Sequence, residues 1–444
     1  MLIQIKNATI VNEGDAFVGS VIIDGDRISE IVRGTDAETS LPIDEVIDAS
    51  GCYLLPGAID THVHFRDPGL THKGDFLSES KAAAAGGVTT VLDMPNTLPQ
   101  TISPDALKAK MEMASHKSVV NYGFYIGATN DNAEELLRTN IRRYCGIKIF
   151  MGASTGNMLV NDTAALERLF ENARVPIVAH CEDSSLIDKN AQAVRAEHGD
   201  DADVSFHSEI RSEEACFKST EQAVRLAQTY GTRLHIAHVS TARELELITE
   251  DYPNITAEAC LSYLLFTKDD YRTLGSRIKC NPAIKTATDR DALRQGLSNG
   301  KIFTLATDHA PHRLSDKKGG CFKAASGIPM IQFSLLSMLE MVSEGVLSIE
   351  RLAELMCHHP ARLFSIDNRG FIREGYKADL VLVRPHAPWT LTPNRIESKC
   401  NWSPLEGKTF HWRIERTFCN GFPIYNGRYI TNENIRGQAV TYDR

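Results

Sequence analysis

From Leu54 onward the sequence alternates short apolar runs with amphipathic stretches, and that rhythm constrains the fold more than any other feature. The apolar runs are LLPGAIDTHVHF, TTVLDMPN, NYGFYIGA, GIKIFM, PIVAHCE, RLHIAHVS, ITAEACLSYL and FTLATDHAP, eight in all. FLSESKAAAAGG, ISPDALKAKMEMASH, TAALERLFENARV and STEQAVRLAQTYG lie between them and carry helical patterns. Ser103-Pro104 reads as an N-cap followed by proline at the first helical position. Eight strand-then-helix units imply a parallel sheet closed as a (β/α)8 barrel.

The flanks keep a different rhythm. Residues 1–53 read as short strands, IQIKNATIV and SVIIDGDRISEIV, with turns at Asn12-Glu13-Gly14 and Asp24-Gly25. Strand patterns return after His358, in Lys377–Val383 and in FHWRIERTFCNGFPIYNGRYI, with turns at Asn420-Gly421 and Asn426-Gly427. The expectation is a barrel over 54–365, with 1–53 and 366–444 joining into one small β-sandwich. Between Cys181 and Lys218, with its acidic HGDDAD, the chain is long for one connection and reads as a solvated excursion without a ligand role. Glycine-containing loops at 68–76 and 312–327 are suited to closing over a substrate.

Composition narrows the function classes. With 42% hydrophobic and 24% charged residues, the 444-residue chain has ordinary globular composition and ample material for a large core. The net charge of −9, from 48 basic and 57 acidic residues, argues against nucleic acid or an anionic membrane as partner. No apolar stretch approaches the roughly 18 residues that span a bilayer. MLIQIKNATIVNEGD lacks the pattern of a signal peptide, so a cytoplasmic location is expected. The ten cysteines are scattered and form no C-x-x-C pair, which excludes zinc ribbons and thioredoxin-like motifs. Reduced, buried thiols are the expectation; the rival for Cys181, beside His180, is a nucleophile.

Catalytic groups of a barrel sit at the C-terminal ends of its strands. His62, His64, Lys148, His180, His238 and Asp308 all fall there. His62 and His64 share one face of their strand, so both imidazoles can grip one metal ion. Of His235 and His238, three apart, only one can share the inward face, and His238 is nearer the strand end. His72, His116, His198, His207, His358, His359, His386 and His411 read as structural or solvated. Lys148 is the odd residue, because an ammonium on an apolar strand is costly to bury and cannot ligate a metal. One reading has it salt-bridged or reaching out to water. The other has it as a neutral amine that takes up carbon dioxide, giving a carbamate able to bridge two metals.

HVHFRDPG from His62 to Gly69, DMPNT, GIKIF, VAHCED, HIAHVS and ATDHAPH together resemble the amidohydrolase superfamily and, within it, bacterial dihydroorotases of the long, carboxylated-lysine kind. The resemblance runs from the N-terminal β-segment to GYKADLVLV. It implies two divalent ions, zinc in the first instance with cobalt and manganese as alternatives. His62, His64 and Asp308 would hold the first, His180 and His238 the second, and carboxylated Lys148 would bridge them. Asp60 would be structural. Asp308 would also act as general base on a metal-bridging hydroxide and as general acid to the departing nitrogen.

The resemblance further implies a pocket for a substrate carboxylate, from Arg66, Asn96 and His312, with Asn281 near the pyrimidine ring. For Arg66 the plainer alternative is a loop ion pair with Asp67. Where the family often has GLPGLE, this chain has Gly327-Ile328-Pro329-Met330-Ile331-Gln332, a difference that backbone contacts tolerate. The implied reaction is the reversible hydrolysis of L-dihydroorotate to N-carbamoyl-L-aspartate in pyrimidine synthesis. Its rivals are another cyclic-amide hydrolase (a dihydropyrimidinase, hydantoinase or allantoinase) and a non-catalytic scaffold for aspartate transcarbamoylase. A homodimer, and association with aspartate transcarbamoylase, are family-level expectations.

Overall fold

The computed structural model describes residues 1–35, 39–152, 158–431, 434 and 437–444. Its eight barrel strands are Ala58–Val63, Val88–Asp93, Asn121–Phe124 with its continuation Ile126–Gly127, Ile147–Phe150, Ile177–His180, Leu234–Ile236, Ile255–Cys260 and Thr304–Ala306. Each of the seven sequential pairings is parallel. The third strand is interrupted at Tyr125, so its first part pairs with the second strand and its continuation with the fourth. Tyr125 is fully buried and donates its hydroxyl to Thr61 O at 2.8 Å.

Closure between the last strand and the first is made mostly by side chains. Val63 and His309 form one parallel bridge, and His64 N donates to His309 O at 2.8 Å. Below it, Asp60 accepts from Thr307 Oγ1 at 2.6 Å and from the backbone N–H groups of Thr307 and His62. Burial raises its carboxyl to about 7. The two Thr307 donors at this buried acid tie strand eight to strand one at the rim that carries the site.

Helices cover the barrel where the pattern places them. Ser103 caps Pro104–Lys117 by accepting from Ala106 N at 3.3 Å.

The two ends of the chain meet in one eight-stranded sheet. Leu2–Asn12, Asp15–Asp24, Arg27–Arg33, Glu45–Asp48 and Tyr53–Pro56 come from the N-terminus, and Leu380–Arg384, Arg413–Cys419 and Phe422–Tyr425 from the C-terminus. Tyr53–Pro56 is the seam, parallel to Leu2–Asn12 and antiparallel to Leu380–Arg384. Its apolar run therefore splits, with 53–56 in the terminal sheet and the barrel starting at Ala58. Ile3, Ile5, Ile10, Val21, Leu54, Leu380 and Phe418 pack in a core separate from that of the barrel. Asn420 and Gly421, with φ of 50° and 78°, make the tight hairpin their dipeptide signals. The fold is a (β/α)8 barrel carrying a β-sandwich built from both termini.

Two segments depart from the expectation. Residues 181–218 are not a solvated excursion. Ser184–His198 and Glu213–Tyr230 are helices, and Ile187, Val194, Ala202, Ile210, Ala215 and Cys321 form a small core of their own. The helical periodicity of 184–198 was legible; its acidic flank obscured it. The C-terminal portion also leaves the sandwich. Trp402 is buried at the barrel's catalytic end, and Val440 N donates to Tyr122 O on the third barrel strand. Among the described residues no helix is long and apolar enough to cross a membrane.

Candidate metal and active site

The C-terminal strand ends open on a cavity of about 610 Å³, lined among others by His62, His64, Arg66, Asn96, Lys148, His180, His238, Asn281, Asp308 and His312. All ten residues singled out in the sequence therefore share one wall. Three of them, Arg66, His238 and Asp308, sit at positive φ of 67°, 39° and 48°. Non-glycine residues rarely hold such angles unless surrounding structure enforces them.

His62, His64 and Asp308 present ligand atoms within 4.8 Å of one another. His62 donates from Nδ1 to Glu258 Oε1 at 2.7 Å, because a carboxylate there can only accept. His64 Nδ1 pairs with Asn96 Oδ1 at 2.8 Å. Each imidazole thus spends its one proton outward and turns an Nε2 lone pair inward. Those lone pairs meet Asp308 Oδ1 at 3.5 and 3.0 Å. Three lone-pair atoms converging with no proton among them fit a cation.

A second cluster adjoins the first. His180 Nδ1 lies 2.9 Å from His238 Nε2, and His62 and His238 ring centres are 5.2 Å apart. His180 Nε2 is 2.9 Å from Glu182 Oε2 without hydrogen-bond alignment, and His238 Nδ1 has no partner. Burial lowers the imidazoles of His64 (to about 4), His180 and His238, keeping them neutral as metal ligation requires. For Asp308 burial acts upward, but the neighbouring His62 and His64 outweigh it and hold the carboxyl well below its usual range.

Lys148, on the fourth strand, is 1% exposed, and its Nζ has no hydrogen-bond partner. The salt-bridged and water-reaching readings therefore fail. Burial lowers its amine to about 8. A desolvated amine in the cavity that both histidine clusters line has the character that carbamate formation requires.

The charge of the cavity wall is lopsided. Arg66, Lys73, Lys148 and Lys279 line it, against the single carboxylate of Asp308. Arg66 is buried, and the loop pair with Asp67 does not exist: Asp67 takes Lys117 at 2.7 Å. Arg66 donates instead from Nε to Pro311 O at 3.2 Å and from Nη2 to His312 Nε2 at 3.0 Å. Among the described residues no carboxylate lies within salt-bridge reach of it. Since a guanidinium only donates, His312 accepts at Nε2 and carries its proton on Nδ1, a buried atom without a partner. Burial and the Arg66 charge lower His312 to about 2, so the ring is neutral. Asn281 Oδ1 pairs with His207 Nε2 at 3.0 Å, which makes His207 the buried support of a cavity residue.

Sequence reasoning missed the supports. Glu258, on the seventh strand, bonds His62 Nδ1, Thr61 Oγ1 (2.8 Å) and His238 N (3.1 Å). Burial raises it, but His62 and His235 prevail and hold it well below the ordinary range. An acid within the apolar run ITAEAC was the available signal. Glu182 pairs with Arg211, which lies in the supposedly solvated excursion. Cys181 is buried with its thiol pushed up to about 12 by burial, so a nucleophilic role has no support. All ten cysteines are free.

The model of the amidohydrolase family matches residues 53–421. The chain is 35% identical over 429 residues to a dihydroorotase of Halobacterium salinarum, across 95% of this chain and 97% of that one. It is 30% identical to an allantoinase of Bacillus velezensis, across 95% and 93%. Among solved structures it superposes on L-hydantoinase (dihydropyrimidinase) from Arthrobacter aurescens with a TM-score of 0.93 at 28% identity, covering 99% of each chain.

Proposed function

The chain belongs to the amidohydrolase family, and from that membership we propose that this hydrolase is a dihydroorotase, opening L-dihydroorotate reversibly to N-carbamoyl-L-aspartate. The observation that carries the choice is Arg66: a buried guanidinium on the cavity wall, joined to His312 and, among the described residues, with no carboxylate within salt-bridge reach. A buried cation without a counter-ion is costly, and a substrate carboxylate supplies the missing partner.

His62, His64 and Asp308 would hold one divalent ion, and His180 and His238 a second. Lys148 would stand between them as a carbamate, formed when its free amine adds to carbon dioxide and releases one proton. When bound, such ions supply a hydroxide nucleophile at neutral pH and polarise the scissile carbonyl. The protein's own groups do the rest. Arg66 and the Nδ1–H of His312 hold the substrate carboxylate. Asn96 borders the same pocket while its Oδ1 keeps His64 in the ligating tautomer. Asn281, held by His207, faces the ring. Asp308 accepts the proton of the attacking water and returns it to the amide nitrogen as the C–N bond breaks.

The test is turnover of dihydroorotate, 5,6-dihydrouracil and allantoin by the same preparation, with metal analysis. Formation of carbamoyl-aspartate, with about two metals per chain, supports the reading. Turnover of dihydrouracil or allantoin alone rejects it in favour of the corresponding sister activity.

A further inference from the structure

We propose that Lys317 and Trp402, neither of which reaches the reacting atoms, are positioning residues that set the carboxylate pocket through His312. The inference rests on the reading of Arg66 and His312 as that pocket. Trp402 comes from the C-terminal portion of the chain, beyond the barrel, yet it is 1% exposed, and its indole N–H donates to His312 O at 2.7 Å. The indole thereby fixes the backbone of His312. Lys317 lies inside the 312–327 loop and is 3% exposed. Its ammonium donates to three carbonyls, Lys279 O at 3.0 Å, Ala325 O at 2.8 Å and Gly327 O at 2.8 Å. An ammonium has three protons, and all three are used on backbone, so the contact is a staple rather than an ion pair.

What the staple joins matters. Lys279 lines the cavity two residues before Asn281, and Ala325, Ser326 and Gly327 line it beside that segment, Gly327 N donating to Lys279 O at 2.9 Å. Ser326 O lies 3.0 Å from the His312 ring nitrogen that faces Arg66. Gly327, at φ 142°, packs so closely that a Cβ there would meet Ala310 O at 2.5 Å and His312 Cδ2 at 2.9 Å. With its proton on Nδ1 the ring makes no hydrogen bond to Ser326 O, so Arg66 holds it at Nε2 and the 326–327 backbone confines it by contact, while Lys317 fixes that backbone to the Asn281 segment. Trp402 and Lys317 also touch, the ammonium lying 5.9 Å from the indole centre. The loop expected from sequence to close over substrate is fastened at His312, Lys317, Ala325 and Gly327.

A positioning role predicts a specific kinetic pattern. Trp402→Phe keeps the ring and removes only the N–H; Lys317→Met keeps the stem and removes the three donors. Each variant is expected to raise KM for dihydroorotate roughly 3- to 10-fold, the value of one lost hydrogen bond's worth of alignment. kcat is expected to stay within about twofold, because the carboxylate grip is shared by ground and transition states. Hydrogen–deuterium exchange of peptides over 310–328 should quicken, and metal content should hold. Unchanged KM in both variants overturns the proposal, as does a parallel fall of kcat and kcat/KM with melting temperature, which marks a merely structural role. If the unmodified protein ignores dihydroorotate, the functional reading fails by itself. The brace is then judged by exchange, and wild-type protection of 310–328 in both variants overturns it.

Discussion

Replacing Glu258 with glutamine keeps the shape of the side chain and removes its charge, which isolates what that carboxylate does for the metal ligands. In the structure Glu258 Oε1 accepts from His62 Nδ1 at 2.7 Å, and its carboxylate also receives Thr61 Oγ1 and His238 N. Oε1 takes both the Nδ1–H of His62 and the His238 amide, so a glutamine whose carbonyl oxygen stands there keeps both and turns its NH2 to Thr61 Oγ1, which can accept. What it loses is the negative charge behind His62, and with it the charge-assisted part of that hydrogen bond. A charge-assisted hydrogen bond in so dry a place is worth about 1.5–3 kcal/mol. The corresponding loss of metal affinity is roughly 10- to 100-fold, the usual cost of removing a partner behind a histidine ligand. The assay is competition for zinc against a chelating dye of known affinity, read separately for the two ions, with circular dichroism to confirm folding. The weaker binding is expected first at the ion held by His62. A folded Glu258→Gln protein that binds both ions within about twofold of wild type refutes the reasoning.

Arg66→Met is expected to lower kcat/KM for dihydroorotate at least about 30-fold, almost wholly through KM, with both metals retained; wild-type KM in that variant removes the carboxylate pocket. For Lys148, metal loading of the apoprotein is expected to quicken with added bicarbonate, and Lys148→Met to abolish that dependence; equal loading with and without bicarbonate in the wild type counts against a carbamate. His358 supplies a pH test away from the site. Burial lowers it to about 4, below the ordinary value near 6.5, so between those values the unfolded chain binds more protons and folding stability falls as the pH falls. Denaturant melts from pH 7 to pH 4 should show that loss, and His358→Gln should flatten it; an unchanged slope in the variant assigns the loss to other groups.

The barrel and the members of its site were legible because they depend on local pattern. Eight apolar runs at strand length, each followed by a helical stretch, leave few ways to bury a parallel sheet. Strand ends are where a barrel gathers its polar chemistry, so His62, His64, Lys148, His180, His238 and Asp308 were identifiable from position and residue type alone. Arg66, Asn96, Asn281 and His312 came instead through resemblance to a family, and local pattern would not have found them.

The supports of those residues were decided only by tertiary structure. Glu258 stands 196 positions from His62, Trp402 stands 90 from His312, and His207 stands 74 from Asn281. Periodicity reports which face a residue occupies but carries no information about which distant segment meets that face. The same limit explains the helices of 181–218, whose acidic flank reads as solvated until Cys321 and its neighbours are seen to complete their core. It also explains the reach of the C-terminal portion to the catalytic rim. Which residues gather at the cavity is a property of strand ends, which sequence records. Ligand orientation is a property of buried hydrogen bonds across the closed barrel, and these exist only once it has closed.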